Sequence, residues 1–157
     1  MPQPKSAFTV KYDKIVRELK HDVLISEACL EPLDGQSVKT IKYNAIWDTG
    51  ASRTAISVRV VNDLDLIFVN EIDIQTANGL RKAKTYLVNI YLPNHVVVPG
   101  LEVTDCDFKN CDVLVGMDII GNGDFSVTQK NGRSVMTFQM PSTHSTDYVQ
   151  EIETKKK

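Results

Sequence analysis

Ala45-Ile46-Trp47-Asp48-Thr49-Gly50-Ala51-Ser52 carries an apolar, strand-like run straight into Asp-Thr-Gly and then into small residues. Such a run delivers the Asp48 carboxylate to the end of a strand. Gly50 permits a sharp turn with close backbone approach, and the Thr49 hydroxyl can brace a neighbouring loop. The triplet alone decides little, because composition produces it by chance in roughly a few per cent of chains of this length. An ordinary Asx turn after a strand reads the same way. A second element adds weight. Asp112-Val113-Leu114-Val115-Gly116-Met117-Asp118-Ile119-Ile120 places three apolar residues before a Gly and one turn of helix, stopped by Gly121-Asn122-Gly123.

Around these motifs the punctuation is that of a β protein. Asp22 to Leu30 reads as a strand, Pro32 to Gln36 as a turn around Asp-Gly, and Ser37 to Trp47 as the return arm. The return arm is rich in β-branched and aromatic residues, which suit a pleated surface better than a helix. Ile72 to Thr76 and Thr85 to Leu92 flank Ala77-Asn78-Gly79, and a type I′ turn is expected on Asn78-Gly79 because both residues tolerate positive φ. A third hairpin runs from Phe125-Ser126-Val127-Thr128 through Asn131-Gly132 to Ser134 to Phe138. Val96-Val97-Val98 and Leu101-Glu102-Val103 read as two short strands around Pro99-Gly100. A helix is expected within Ser57 to Leu66, where Val58, Val61 and Leu64 share a face. Beyond Pro141 the chain turns polar and reads as a solvated tail.

Taken in order, the two motifs resemble the retroviral-type (retropepsin-like) aspartic proteases in their single-lobe form, over about residues 20 to 140. The resemblance implies an all-β fold, a closed β-barrel or sandwich half-lobe with one or two short helices, forming a C2 homodimer. It places the protease domain in residues 1–141 and leaves 142–157 as a flexible tail. Asp48 becomes the catalytic aspartate, Thr49 the threonine that grips its symmetry mate, and Gly50 the turn glycine. Ala51 stands where retroviral-type enzymes carry Ala. Val115 and Gly116, in Val113-Leu114-Val115-Gly116, become the support beneath the active-site loop. Thr76, Ala77, Asn78 and Gly79 become the tip of a flap over the substrate. The chain also departs from the pattern. Trp47 is bulkier than the usual aliphatic residue, and Met117-Asp118 replaces an Arg that commonly follows the Gly. An Arg53–Asp118 pair would restore that contact with its charges exchanged.

The resemblance implies an aspartic endopeptidase acting on extended polypeptides, with neither metal nor organic cofactor. Amide hydrolysis needs one group to activate water and another to protonate the carbonyl oxygen. A single Asp48 cannot fill both roles at once, whereas a two-fold dimer supplies a second copy about its axis. The apolar strand Val135 to Met140 would be an exposed edge in a monomer, which places the terminal segments in the expected interface. The alternative is a non-catalytic dimeric peptide-binding module on the same fold.

Composition removes other classes. The 157 residues are 42% hydrophobic and 24% charged, ordinary for one globular domain. Eighteen Lys and Arg against twenty Asp and Glu leave a net charge of −2, which disfavours a nucleic-acid partner bound through a positive field. No stretch approaches the roughly 18 apolar residues of a membrane span, and Met1 to Ser6 lacks the apolar core of a signal peptide. Three cysteines, Cys29, Cys106 and Cys111, cannot all pair within one chain, so free thiols in the cytoplasm are expected. Cys106 and Cys111 lack a second Cys/His pair at ligand spacing, which argues against zinc. His21, His95 and His144 lie near no nucleophile motif.

Overall fold

Six strands close on themselves around the apolar core in the computed structural model, which describes residues 5–28 and 38–156. They are β2 (Lys20–Glu27), β3 (Ile41–Trp47), β4 (Ala55–Ser57), β6 (Gly79–Leu92), β7 (Val96–Cys106) and β8 (Val113–Val115). Their order is β2-β3-β8-β4-β7-β6, and pairing of β2 with β6 completes the ring. Closure satisfies backbone groups that an open sheet would leave at its edges. The two-residue period decides which side chains enter. Val23, Ile25, Tyr43, Ala45 and Trp47 point inward, while Asp22, Leu24 and Lys42 between them do not. Strand β5 (Phe68–Thr76) pairs with the first half of β6, and that hairpin continues past the barrel.

A second, three-stranded sheet covers one side of the barrel. It comprises β1 (Ser6–Lys11), β9 (Asp124–Thr128) and β10 (Val135–Met140), with β10 in the centre. This corrects the expectation of an exposed β10 edge. β10 is paired on both sides, and Met136 and Phe138 are fully buried. The sequence reading missed β1, whose partner β10 lies more than a hundred residues away and leaves no local signal.

The short helices start where the chain offers caps. Ser57 Oγ accepts from the Val60 amide at the head of α1 (Val58–Asp63), and Gly116 heads α2 (Met117–Ile120). A third helix, α3 (Tyr148–Thr154), is capped by Asp147 in the segment read as a solvated tail. It buries no residue. Before it, the Ser142 hydroxyl and the Thr143 and His144 amides donate to the Asp124 carboxylate. Those bonds, Ser142 first, hold the Asp124 pKa below the usual carboxylate range. Among the described residues there are thus three helices and one 3₁₀ turn where one or two helices were expected.

Turn chemistry departed from expectation at Pro99-Gly100. β7 is one continuous strand through Pro99-Gly100, because Gly100 takes φ +61° in a bulge opposite Asn89, whose side chain accepts its amide at 2.9 Å. Asn131 and Gly132 both adopt positive φ between β9 and β10, as expected there. The turn expected at 32–36 and Cys29 lie outside the described residues. Among the described residues no helix is long and apolar enough to cross a membrane.

Candidate active site

β3 ends on Trp47, and the next residue leaves the strand. The Asp48 amide donates to the Val115 carbonyl at 2.9 Å, so the end of β8 fixes where the loop begins. The Gly50 amide donates to Asp48 Oδ1 at 2.8 Å and the Ala51 amide to the Asp48 carbonyl at 3.2 Å. This is an Asx turn, the geometry an ordinary turn would also have. What sets it apart is the clamp around it. β8 runs parallel to β3 and antiparallel to β4, threading between the strand that enters the loop and the strand that leaves it. Beyond β8, the Met117 amide donates to the Ala51 carbonyl at 2.8 Å.

Gly116 is required for that clamp. A Cβ there would lie 2.6 Å from the backbone carbonyl of Arg53 and 3.0 Å from that of Ala51, closer than real contacts allow. Buried Thr54 completes the closure. Its hydroxyl donates to Asp118 Oδ1 at 2.6 Å and accepts from the Gly116 amide at 3.1 Å, while its own amide donates to Asp118 Oδ2 at 2.8 Å. The Arg53–Asp118 pair suggested by the sequence therefore does not form. Asp118 spends its carboxylate on Thr54, and the Arg53 side chain is exposed.

The loop opens into a cleft of about 760 Å³ between itself and the β5–β6 hairpin. Asp48, Gly50 and Ala51 line one side, and Thr76 and Ala77 line the other. Ile72 and Ile74 reach in from β5, joined by Phe108 and Leu114. Leu114 is half-buried and faces the cleft, so it is no core residue, unlike its neighbours Val113 and Val115. Thr49 is exposed at the loop tip, and its side chain makes no hydrogen bond among the described residues. Val115 and Gly116 are buried beneath the loop. Asn78 and Gly79 sit at the hairpin tip, outside the cleft lining. The sequence reading missed Thr54, Ile72, Ile74 and Phe108. The alternation Ile72-Asp73-Ile74-Gln75-Thr76 was the available signal for the hairpin's inner face, and nothing local pointed to Thr54 or Phe108.

The hairpin turn differs from expectation. Thr76 pairs with Gly79, which makes Ala77-Asn78 the loop, and neither has positive φ. Gly79 alone does, at +105°, and the Thr76 hydroxyl bonds across to its carbonyl at 2.9 Å. A Cβ on Gly79 would meet nothing within 4 Å, so a substitution there is opposed by backbone strain and not by crowding. Gly79→Val is expected to cost about 1–3 kcal/mol locally and to leave the barrel folded. Circular dichroism should be unchanged and Tm should fall only modestly. Loss of the folded signal would show that the barrel depends on the hairpin tip.

Trp47 explains its own bulk. Its ring stacks on Phe125 at 5.3 Å between centroids and meets Phe138 at 5.1 Å, which ties the strand end carrying Asp48 to the three-stranded sheet. The indole N–H donates to His21 Nε2 at 2.7 Å, and His21 Nδ1 lies 2.9 Å from the Asp22 carbonyl. These bonds assign the ring proton to Nδ1 and require a neutral imidazole. Burial pushes the His21 pKa below 6.5, against a smaller opposing effect of the Asp22 carbonyl and carboxylate. The unfolded chain then binds a proton the folded chain refuses, so stability is complete above pH 6.5 and declines as pH falls below it. Thermal melts between pH 7.5 and 5 should show a steeper loss of Tm for wild type than for His21→Gln. Parallel curves would refute the assignment.

The gag-polyprotein "putative aspartyl protease" family model matches residues 23–122. Two solved structures share the fold. A retropepsin-like aspartic protease from Rickettsia conorii is 14% identical, with a TM-score of 0.53, over 87% of this chain and 96% of that one. The EIAV protease complexed with the inhibitor HBY-793 is 18% identical, with a TM-score of 0.50, over 71% of this chain and 92% of that one. No curated protein sequence is a significant match.

Proposed function

The chain belongs to the gag-polyprotein aspartyl protease family, and from that premise we propose that it is an aspartic endopeptidase acting as a homodimer. Asp48 from each of two subunits would form the catalytic pair, and the substrate would be an extended polypeptide. The reading rests on one observation: a carboxylate clamped by β8 at the floor of a cleft roofed by a projecting hairpin.

Two carboxylates held close together share one proton, because both cannot ionise cheaply. The ionised Asp48 accepts a proton from water as the water oxygen attacks the peptide carbonyl carbon. The protonated Asp48 of the second copy donates its proton to the carbonyl oxygen, giving a gem-diol. Collapse of the gem-diol returns a proton to a carboxylate and delivers one to the leaving nitrogen, so no covalent intermediate forms. Thr49, exposed at the loop tip, is free to meet its mate across the two-fold axis. Ile72, Ile74, Phe108 and Leu114 offer apolar contact to alternate side chains of an extended strand.

Incubation with unfolded casein across about pH 4 to 8, with and without a pepstatin-type inhibitor, tests the reading. New peptide N-termini should appear, and specific activity should fall on dilution as the dimer dissociates. Absence of cleavage at every pH, at concentrations where sedimentation shows a dimer, would overturn it. Full activity of a proven monomer would overturn the shared site.

A further inference from the structure

Arg53 is the one cationic side chain lining the cleft among the described residues, and it has no carboxylate partner there. Its position is rigidly set. Its carbonyl packs against Gly116, and the next residue, Thr54, is fully buried and held by two bonds to Asp118. The guanidinium therefore projects from the same clamped loop that carries Asp48. The nearby acids are otherwise engaged: Asp118 by Thr54, Asp48 Oδ1 by the Gly50 amide, and Asp73 across the cleft by Lys82 at 3.9 Å on the paired strand. A peptide that fills the cleft and excludes water leaves this guanidinium needing an acceptor. A carboxylate matches its planar fork with two parallel bonds.

Resting on the proposed peptide-binding cleft, the geometry points to a substrate class: peptides with an Asp or Glu side chain close to the cleavage point, on the Arg53 side, beside apolar residues that meet Ile72 and Ile74. The selection is electrostatic, so it weakens as salt rises.

The test uses fluorescein-labelled apolar peptides, identical except for Glu, Gln or Lys at one position, with that position moved along the peptide. Binding to the Asp48→Asn protein is followed by anisotropy and cleavage by wild type is followed separately. At one position on each side of the cleavage point, one for each copy of Arg53, Glu should bind roughly five- to tenfold more tightly than Lys. Arg53→Gln should remove that ratio, and Arg53→Glu should invert it, with circular dichroism unchanged. Equal affinity for Glu and Lys at every position, or a ratio untouched by Arg53→Glu, would overturn the inference. Charge selection in binding with no cleavage by wild type would leave the inference standing and sink the protease reading instead.

Discussion

Asp48→Asn is expected to abolish peptide cleavage while leaving the fold intact. The substitution keeps shape, and the Asn side-chain oxygen can still accept the Gly50 amide that Asp48 Oδ1 accepts at 2.8 Å. Stability should therefore change by no more than about 0.5 kcal/mol. The chemistry, in contrast, loses both of its proton-transfer groups at once, because each subunit of the proposed dimer supplies the same residue. Acid–base assistance contributes roughly 10²–10⁴-fold, and kcat/KM should drop by at least that much. Mixing supplies a stricter check. Excess Asp48→Asn chain should suppress wild-type activity by drawing wild-type subunits into mixed dimers with one carboxylate. Activity that survives the substitution would remove Asp48 from the reaction, and activity immune to excess variant would remove the shared site.

Trp47→Ala should produce the largest loss of stability. Trp47 is 5% exposed and joins the barrel to the three-stranded sheet through Phe8, Phe125 and Phe138. Truncating a buried Trp costs about 3–5 kcal/mol in lost contact and residual cavity. That is a large share of the roughly 5–15 kcal/mol that holds a domain folded. For a chain of this length Tm should fall by about 10 °C or more. His21 Nε2 would also lose its donor in a half-buried position. Trp47→Phe keeps the aromatic contact and loses only the N–H, so it should cost much less. Activity should follow the same order, because the strand end that Trp47 braces is the one that presents Asp48. Equal melting of Trp47→Ala and wild type would mean the two sheets are held together elsewhere.

Much of the site could be read locally because its determinants are local. The Asp48 turn needs a carboxylate two residues before a Gly amide, and Val113-Leu114-Val115-Gly116 is an apolar strand ending where no side chain fits. Helix α1 falls within the segment expected to be helical, although the face it buries carries Val60 and leaves Val58 exposed. Asn131 and Gly132 both took the positive φ their residues favour, whereas at Asn78-Gly79 only Gly79 did, because the β5–β6 register placed it one step past the loop. Period-two alternation tells which face of a strand is apolar but not which strand lies beside it. That is why β1 went unseen and β10 was taken for an edge.

The sequence by itself determined the all-β character, the Asx turn at Asp48 and the supporting glycine, since each depends on residues close together in the chain. Only the tertiary structure decided the partners. Threading of β8 between β3 and β4, closure of β2 on β6, and capture of Thr54 by Asp118 join residues far apart in sequence. Leaving Arg53 without a carboxylate in the cleft is a consequence of that last choice. A sequence lists the charges, but which of them neutralise one another is settled by distances of a few ångströms, and those exist only once the chain has folded.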